Sequence, residues 1–282
     1  MPIPEPYASH LPRLIAAAFA EDLPDLTAPA VFGPEAPLTA LLIAKADGVL
    51  AGMPAFATAF RFLDPDCLVT GELGDGDPVK RGMVVARVEG RARTILAAER
   101  TALNFTTHLS GVATLTRRFV AAVAGTGCQV LDTRKTTPGL RVLEKHAVRC
   151  GGGLNHRMGL FDAAMLKDTH IDAAGSLTGA VAGVRRTWGD AVPLVVECCA
   201  MYQVEEALAC GVTHIMLDNM EPDTLHKAVD LVAGRAKLEA SGGVTLATAR
   251  DIAETGVDYI SVGALTHSAP VLDLSLKVSR DA

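Results

Sequence analysis

Aromatic side chains are scarce in this chain of 282 residues, at 4%. That excludes an aromatic-rich β sandwich and leaves Ala, Val, Leu and Gly, a mix suited to tightly packed α/β layers. Six cysteines are present (Cys67, Cys128, Cys150, Cys198, Cys199 and Cys210), but none forms a C-x-x-C pair. They read as reduced thiols, mostly small core residues, rather than as a zinc site. Long apolar runs are also missing: nothing approaches the roughly 20 residues needed to cross a bilayer. No Lys or Arg precedes Arg13, and the apolar run "LIAAAFA" stops at Glu21 and Asp22, so an amphipathic helix is expected there, not a signal peptide. Positive charge is in deficit overall. A net charge of −6 argues against non-specific binding to nucleic acid or an anionic membrane. The expectation is a soluble, cytoplasmic protein.

What is present is enough apolar material, 49%, for a sizeable core, in a length that suits one large β/α barrel or a barrel with a smaller companion. The first hundred residues read as α+β. A helix is expected near 8–20, strand and turn in "LTALLIAKADGVLAG", a short helix near 53–63, and strands in "CLVTGEL" and "MVVARVEGRA" around the turn "GDGDPVKRG". Residues 95–125 carry a long helical pattern, with a break expected near Ser110–Gly111, and look like the join between two domains. From about residue 128 apolar runs alternate with helical segments that end in Gly: "QVLDTR", "AAMLKD", "PLVVEC", "THIMLDN", "KLEASGG" and "DYISVGA". Strand, helix, strand, repeated, predicts parallel β/α units and a closed or nearly closed barrel.

The strand ends carry the chemistry. The first run ends at Arg134–Lys135, the second at Lys167, the third at Glu197 and the fourth at Asp218; the last two end in Ser241–Gly242–Gly243 and Val262–Gly263–Ala264. From Glu197 to Asp218, Ser241 and Gly263 the intervals are 21, 23 and 22 residues, which puts these groups at equivalent places on successive units, facing one cavity. The two Gly motifs in tandem predict a phosphate site built from open backbone N–H groups. Glu197 and Asp218 offer hard oxygen ligands that suit Mg²⁺, although pairing with Lys135 and Lys167 is an equally physical use for them.

Cations concentrate between Thr133 and Arg157. Six Lys or Arg stand there against Glu144 alone, a balance of +5 before His146 and His156 are counted. Arg141, Lys145 and Arg149, spaced by four, are expected on the outer face of a helix. Arg134, Lys135, His156 and Arg157 lie instead at a strand end and beside "CGGG", where backbone can approach a ligand. Together they call for more than one carboxylate or phosphate.

"LDTRKTTPGLR", "CGGGLNHRMGL", "LKDTH", "LDNM", "EASGGV" and "TGVDYISVGALTHSA" resemble the quinolinate phosphoribosyltransferase family, also called nicotinate-nucleotide pyrophosphorylase (carboxylating), over residues 41 to about 275. "AERTALNFTTHLSG" is similar to the segment preceding that family's barrel. The resemblance implies an α/β protein with an incomplete, seven-stranded β/α barrel over 111–267, the phosphoribosyltransferase domain, and an α+β sandwich over 1–110 rejoined by 268–282. It implies a homodimer or larger homo-oligomer that uses quinolinate, phosphoribosyl pyrophosphate and Mg²⁺. It implies that Thr133, Arg134, Lys135, His156, Arg157 and Lys167 line the quinolinate pocket, that Arg100 enters the neighbouring subunit's pocket, and that Glu197 and Asp218 face the ribose and metal. Ser241, Gly242, Gly243, Val262, Gly263 and Ala264 would hold phosphate. Lys135, Lys167, Glu197 and Asp218 are the expected catalytic groups, with Lys135 favoured over Lys167 as proton donor. The chain departs from the family's pattern at Thr169, commonly Asn, and at Cys198–Cys199. Alternatives are a nicotinate-type phosphoribosyltransferase, a molybdenum-transport-associated paralogue of the same fold, or a Schiff-base lyase using Lys167.

Overall fold

Period-two alternation early in the chain builds an antiparallel sheet, and longer apolar runs later build a parallel one. A computed structural model describes residues 7–279. Its first elements are α1 (Tyr7–Asp22), α2 (Ala28–Val31), β1 (Pro37–Ala44), β2 (Gly48–Val49), α3 (Met53–Leu63), β3 (Leu68–Gly71), β4 (Pro78–Val79), β5 (Val84–Arg91) and α4 (Ala92–Ala122). There follow β6 (Gln129–Leu131), α5 (Arg141–Cys150), β7 (Ala164–Leu166), α6 (Asp168–Ala174), α7 (Leu177–Trp188), β8 (Leu194–Cys198) and α8 (Met201–Ala209). The chain closes with β9 (His214–Asp218), α9 (Pro222–Val232), β10 (Lys237–Ser241), α10 (Ala249–Glu254), β11 (Tyr259–Ser261), α11 (Ala264–His267) and β12 (Leu274–Val278).

These elements divide into two units. The first holds the chain up to Arg117, Thr137–Gly152 and the segment from Ser268; the second holds Arg118–Thr136 and Gly153–His267. In the first, an antiparallel sheet runs in the order β12-β1-β5-β3. Ala40, Leu42 and Ala44 of β1 are buried while their neighbours are less so, the signature of a strand with one covered face. Leu42, Val88, Phe56, Phe60 and Ile15 are fully buried, and the Phe56 and Phe60 rings meet edge to face at 5.0 Å.

Two expectations fail in this unit. Helix α4 does not break at Ser110–Gly111. Ser110 Oγ instead accepts the Ala51 N–H and donates to the Ala51 carbonyl, both at 3.0 Å. Gly111 lets backbone come close: a Cβ there would stand 2.2 Å from the Pro270 carbonyl oxygen. Nor does α5 present Arg141, Lys145 and Arg149 on one outer face. Arg149 is exposed, but Lys145 is fully buried, because α5 also buries Leu143, Glu144, Ala147, Val148 and Cys150 and so is covered nearly all round. Glu144 accepts the Thr137 N–H at 3.0 Å and lies 2.8 Å from His108 Nε2.

In the second unit six parallel strands run in the order β6-β11-β10-β9-β8-β7. Ile215, Met216 and Leu217 are buried in succession, as in strands covered on both faces. A parallel bridge joins Leu131 to Leu154 on the free side of β6, with Leu154 N–H donating to Val130 and Asp132 N–H to Leu154.

Candidate active site

Because side chains alternate along a strand, each run sends every second residue to one face. At the C-terminal strand ends of the parallel sheet those residues line a cavity of about 480 Å³. Thr133, Arg134 and Lys135 reach it from the loop after β6, and His156 and Arg157 from the segment after the Leu154 bridge. Lys167 comes from the end of β7, Glu197 from β8 and Asp218 from β9. Ser241, Gly242 and Gly243 come from the end of β10. The structure therefore brings eleven of the sequence-derived candidates to one place.

It leaves four others elsewhere. Arg100 belongs to the first unit, exposed beside a depression shared with Asp22, Asp25 and Phe32. Val262, Gly263 and Ala264 follow β11 but do not line the cavity. Gly263 instead lies under the aliphatic stem of Lys135, whose Cδ would be 3.1 Å from an added Cβ.

The cations are crowded. Arg157 is part-buried, and burial first, then the charge of Arg134, lower its pKa, with Asp162 opposing. Its Nη1 donates to the Ala163 carbonyl at 2.9 Å. Lys167 Nζ lies 3.3 Å from Glu197 Oε2, so the pairing weighed from sequence is present for this lysine. Lys135 Nζ makes no ion pair among the described residues; Lys135 is held through its backbone, its N–H donating to Thr133 Oγ1 at 3.0 Å and its carbonyl accepting Thr266 Oγ1 at 2.8 Å.

The acidic side fits a hard cation. Asp218 Oδ2 accepts the Asn219 amide at 2.7 Å, leaving Oδ1 without a hydrogen bond among the described residues; Glu197 Oε1 is likewise open once Lys167 has taken Oε2. Two part-exposed carboxylates, each with one uncommitted oxygen and both lining the same cavity, are an oxygen donor set of the kind Mg²⁺ uses while retaining waters. Beside them Gly242 and Gly243 hold φ of 94° and 60°. At Gly242 a Cβ would fall 2.1 Å from Asn219 Oδ1, whereas at Gly243 nothing lies within 4 Å, so the backbone there is uncovered. Asn219 is itself left-handed at φ 53° and donates its N–H to the Ser241 carbonyl at 2.8 Å.

Sequence reasoning passed over Asn219, Ser261 and Glu239. Asn219 follows Asp218 in "LDNM", and Glu239 precedes Ser241 by two in "LEAS", so strand alternation was the available signal for Glu239. A separate cluster lies in the first unit: Asp75, His146 and Cys150 bring one ligand atom each within 4.8 Å of one another. His146 Nε2 lies 2.8 Å from Asp75 Oδ2 and 3.4 Å from Cys150 Sγ. Burial, reinforced by Asp75, pushes the Cys150 thiol up to about 12.

Comparison with known proteins follows these lines. Residues 112–277 match the family model described as quinolinate phosphoribosyl transferase, C-terminal domain, and 25–110 match the N-terminal domain of the same family. The chain is 43% identical over 271 residues to a probable nicotinate-nucleotide pyrophosphorylase (carboxylating) of Bacillus subtilis, covering 95% of this chain and 93% of that one. It is 42% identical to a quinolinate phosphoribosyltransferase (decarboxylating) 1b of Nicotiana tabacum, over 95% of this chain and 81% of the relative. Among solved structures, NadC from Streptococcus pyogenes superposes with a TM-score of 0.92 at 40% identity, over 96% of this chain and 98% of that one.

Proposed function

The chain belongs to the quinolinate phosphoribosyltransferase family, and we infer that it joins quinolinate to phosphoribosyl pyrophosphate in the cavity at its parallel strand ends. The products are nicotinate mononucleotide, CO₂ and pyrophosphate, which serve NAD biosynthesis. One observation carries the assignment of the pocket: Arg134, Lys135, Arg157 and Lys167 all line one cavity, where burial, and after it the charge of Arg134, lowers the Arg157 pKa. Two guanidiniums and Lys135 lining one cavity favour a ligand with more than one negative group. Quinolinate has two carboxylates, nicotinate one.

The reaction follows from that placement. Arg134, Arg157 and Lys167, with Thr133 and His156 beside them, hold the dicarboxylate so that its ring nitrogen meets C1′ of the ribose. The nitrogen's electron pair forms the N–C1′ bond as the C1′–O bond breaks and pyrophosphate leaves with its electrons. Glu197 and Asp218 stabilise the positive charge that develops on the ribose. The same two carboxylates would hold Mg²⁺, and the ion would neutralise charge on the leaving group. Ser241, Gly242 and Gly243, with the Val262–Gly263–Ala264 turn behind them, receive the phosphate. The C2 carboxylate then departs as CO₂, its electron pair stays on C2 beside the quaternised nitrogen, and Lys135 supplies the proton.

The finer architecture proposed is an incomplete, seven-stranded barrel. The Leu131–Leu154 bridge supports it, since it adds a seventh position to the six paired strands and leaves the gap beside β7. The antiparallel sheet and its helices would form the companion sandwich. A homodimer or larger assembly, with Arg100 entering the neighbouring site, and a cytoplasmic location complete the reading. Among the described residues no helix is long and apolar enough to cross a membrane.

The test is a purified-protein assay with Mg²⁺, phosphoribosyl pyrophosphate and either quinolinate labelled in its C2 carboxylate or nicotinate. Labelled CO₂ and nicotinate mononucleotide in equal amounts are expected from quinolinate, with little product from nicotinate. Comparable kcat/KM for nicotinate would overturn the assignment.

A further inference from the structure

Glu239 has no part in the steps above, yet it sits in the middle of β10, fully buried, directly beneath the cavity wall that ends in Ser241. Taking a carboxylate out of water costs several kcal/mol unless partners compensate. Here the partners are two histidines on one oxygen. Oε2 lies 2.8 Å from His214 Nε2 and 3.3 Å from His156 Nε2, the second being closer to an ion-pair contact than to a well-formed hydrogen bond. Oε1 makes no hydrogen bond among the described residues. Burial, the largest single influence, pushes the Glu239 carboxyl up, but the two histidines and Ser261 together outweigh it and hold the group at about 2.

The two histidines face different places. His214 lines a second cavity of about 540 Å³ with Tyr259, whose ring centroid is 5.7 Å away. His156 lines both cavities, and its Nε2 faces Glu239 at ion-pair distance, not as a formed hydrogen bond. Nδ1 accepts the Arg157 backbone N–H at 2.7 Å, which leaves Nε2 as the nitrogen that carries the proton toward Glu239. The imidazole therefore serves the neighbouring backbone and the buried carboxylate. The His156 backbone N–H is tied in turn to Asp132 Oδ1 at 2.9 Å.

We propose that Glu239 is a positioning residue for quinolinate binding: through His156 it fixes the backbone at Arg157, and so sets where the Arg157 guanidinium stands opposite Arg134. This inference rests on the quinolinate reading above and deepens it. His156 then contributes to affinity through Arg157 rather than by giving a ring nitrogen to the substrate. His214 shares the same carboxylate oxygen but leads away from the quinolinate cavity, and is the natural control.

The experiment compares Glu239→Gln, His156→Gln and His214→Gln with the wild type in steady-state kinetics and thermal unfolding. Wild-type turnover of quinolinate is measured first; its absence sinks the quinolinate reading, whereas the positioning role is read from ratios among the variants. Glu239→Gln should raise the quinolinate KM roughly tenfold, as loss of a charge-assisted contact does, with kcat and the phosphoribosyl pyrophosphate KM within about twofold. His156→Gln should raise the quinolinate KM likewise, and the double variant should be no worse than the worse single, since both act along one path. His214→Gln loses the shorter contact to Glu239 and should lower Tm at least as much, with its quinolinate KM within about twofold of wild type. A quinolinate KM for Glu239→Gln within about twofold of wild type, or an equal rise in His214→Gln, would overturn the proposal. Should Glu239→Gln fail to fold, His156→Gln against His214→Gln decides: a quinolinate KM raised in the first alone supports the role, and equal values refute it.

Discussion

Acid should weaken this protein through Glu239, and the size of the effect follows from where that carboxylate sits. Its folded-state pKa is depressed from the ordinary 4.5 to about 2. A depressed carboxylate contributes stability that is fully present above its unfolded value, and that contribution drains away as pH falls from about 4.5 through the folded value near 2. The whole difference is worth about 3 kcal/mol, of which about 2 kcal/mol is gone by pH 3. That is a large share of the ~5–15 kcal/mol by which domains are stable. The assay is urea unfolding followed by far-UV circular dichroism, for wild type and Glu239→Gln, at pH 5, 4 and 3. Other carboxyls held low in the fold, such as Asp64 beside Arg91, are common to both proteins and cancel in the difference. The stability gap between wild type and variant should shrink by about 2 kcal/mol across that window. A gap constant to within about 0.5 kcal/mol would mean that Glu239 is not held ionised by its histidines, and would refute the reasoning.

Two further outcomes are expected. Gly111→Ala would drive a Cβ to 2.2 Å from the Pro270 carbonyl oxygen and 3.0 Å from Val271 Cα, both backbone. It should cost about 2 kcal/mol or more, seen as a Tm about 4–8 °C lower by calorimetry; an unchanged Tm would show that the irregular segment leading into β12 yields easily. Lys135→Met keeps the stem over Gly263 and removes only the charge. It should cut kcat by roughly 10²-fold or more with both KM values within about threefold, whereas raised KM values at intact kcat would return the proton to another donor.

Much of the second unit was legible because it repeats. Six apolar runs became six parallel strands, and the intervals from Glu197 to Asp218 and Ser241 brought those residues to one cavity. At the last step of the repeat the glycine also meets a second requirement. Gly263 has the right spacing, and its missing side chain makes room for Lys135, a requirement that comes from a residue 128 positions earlier. Local signals misjudged Ser110–Gly111: the same two residues that punctuate turns allow close approach of backbone when a neighbouring segment needs it. Glu239 was legible only in part: alternation puts it on the same face as Ser241, but nothing local shows that it is buried. An acid between Leu238 and Ala240 reads as a strand's solvent face unless one knows that His156 and His214 wait beneath it.

The +5 stretch from Thr133 to Arg157 shows most directly what a window along the chain can and cannot see. Its charge is not one patch. Arg141, Lys145 and Arg149 ride on α5 in the first unit, where Lys145 is entirely buried, while Arg134, Lys135, His156 and Arg157, from the two flanks of that helix, line the cavity of the second. Counting charge along the sequence therefore overstates what any one anion meets. Yet the four that remain line one cavity, where burial first, and then the charge of Arg134, lowers the Arg157 pKa. On the proposed reading, what selects the ligand is the gathering of Arg134 and Arg157 in one cavity. Spreading the same charge over an exposed helix would leave it screened within about 8–10 Å, whereas a part-buried pair keeps its field and rewards a dianion that spans both.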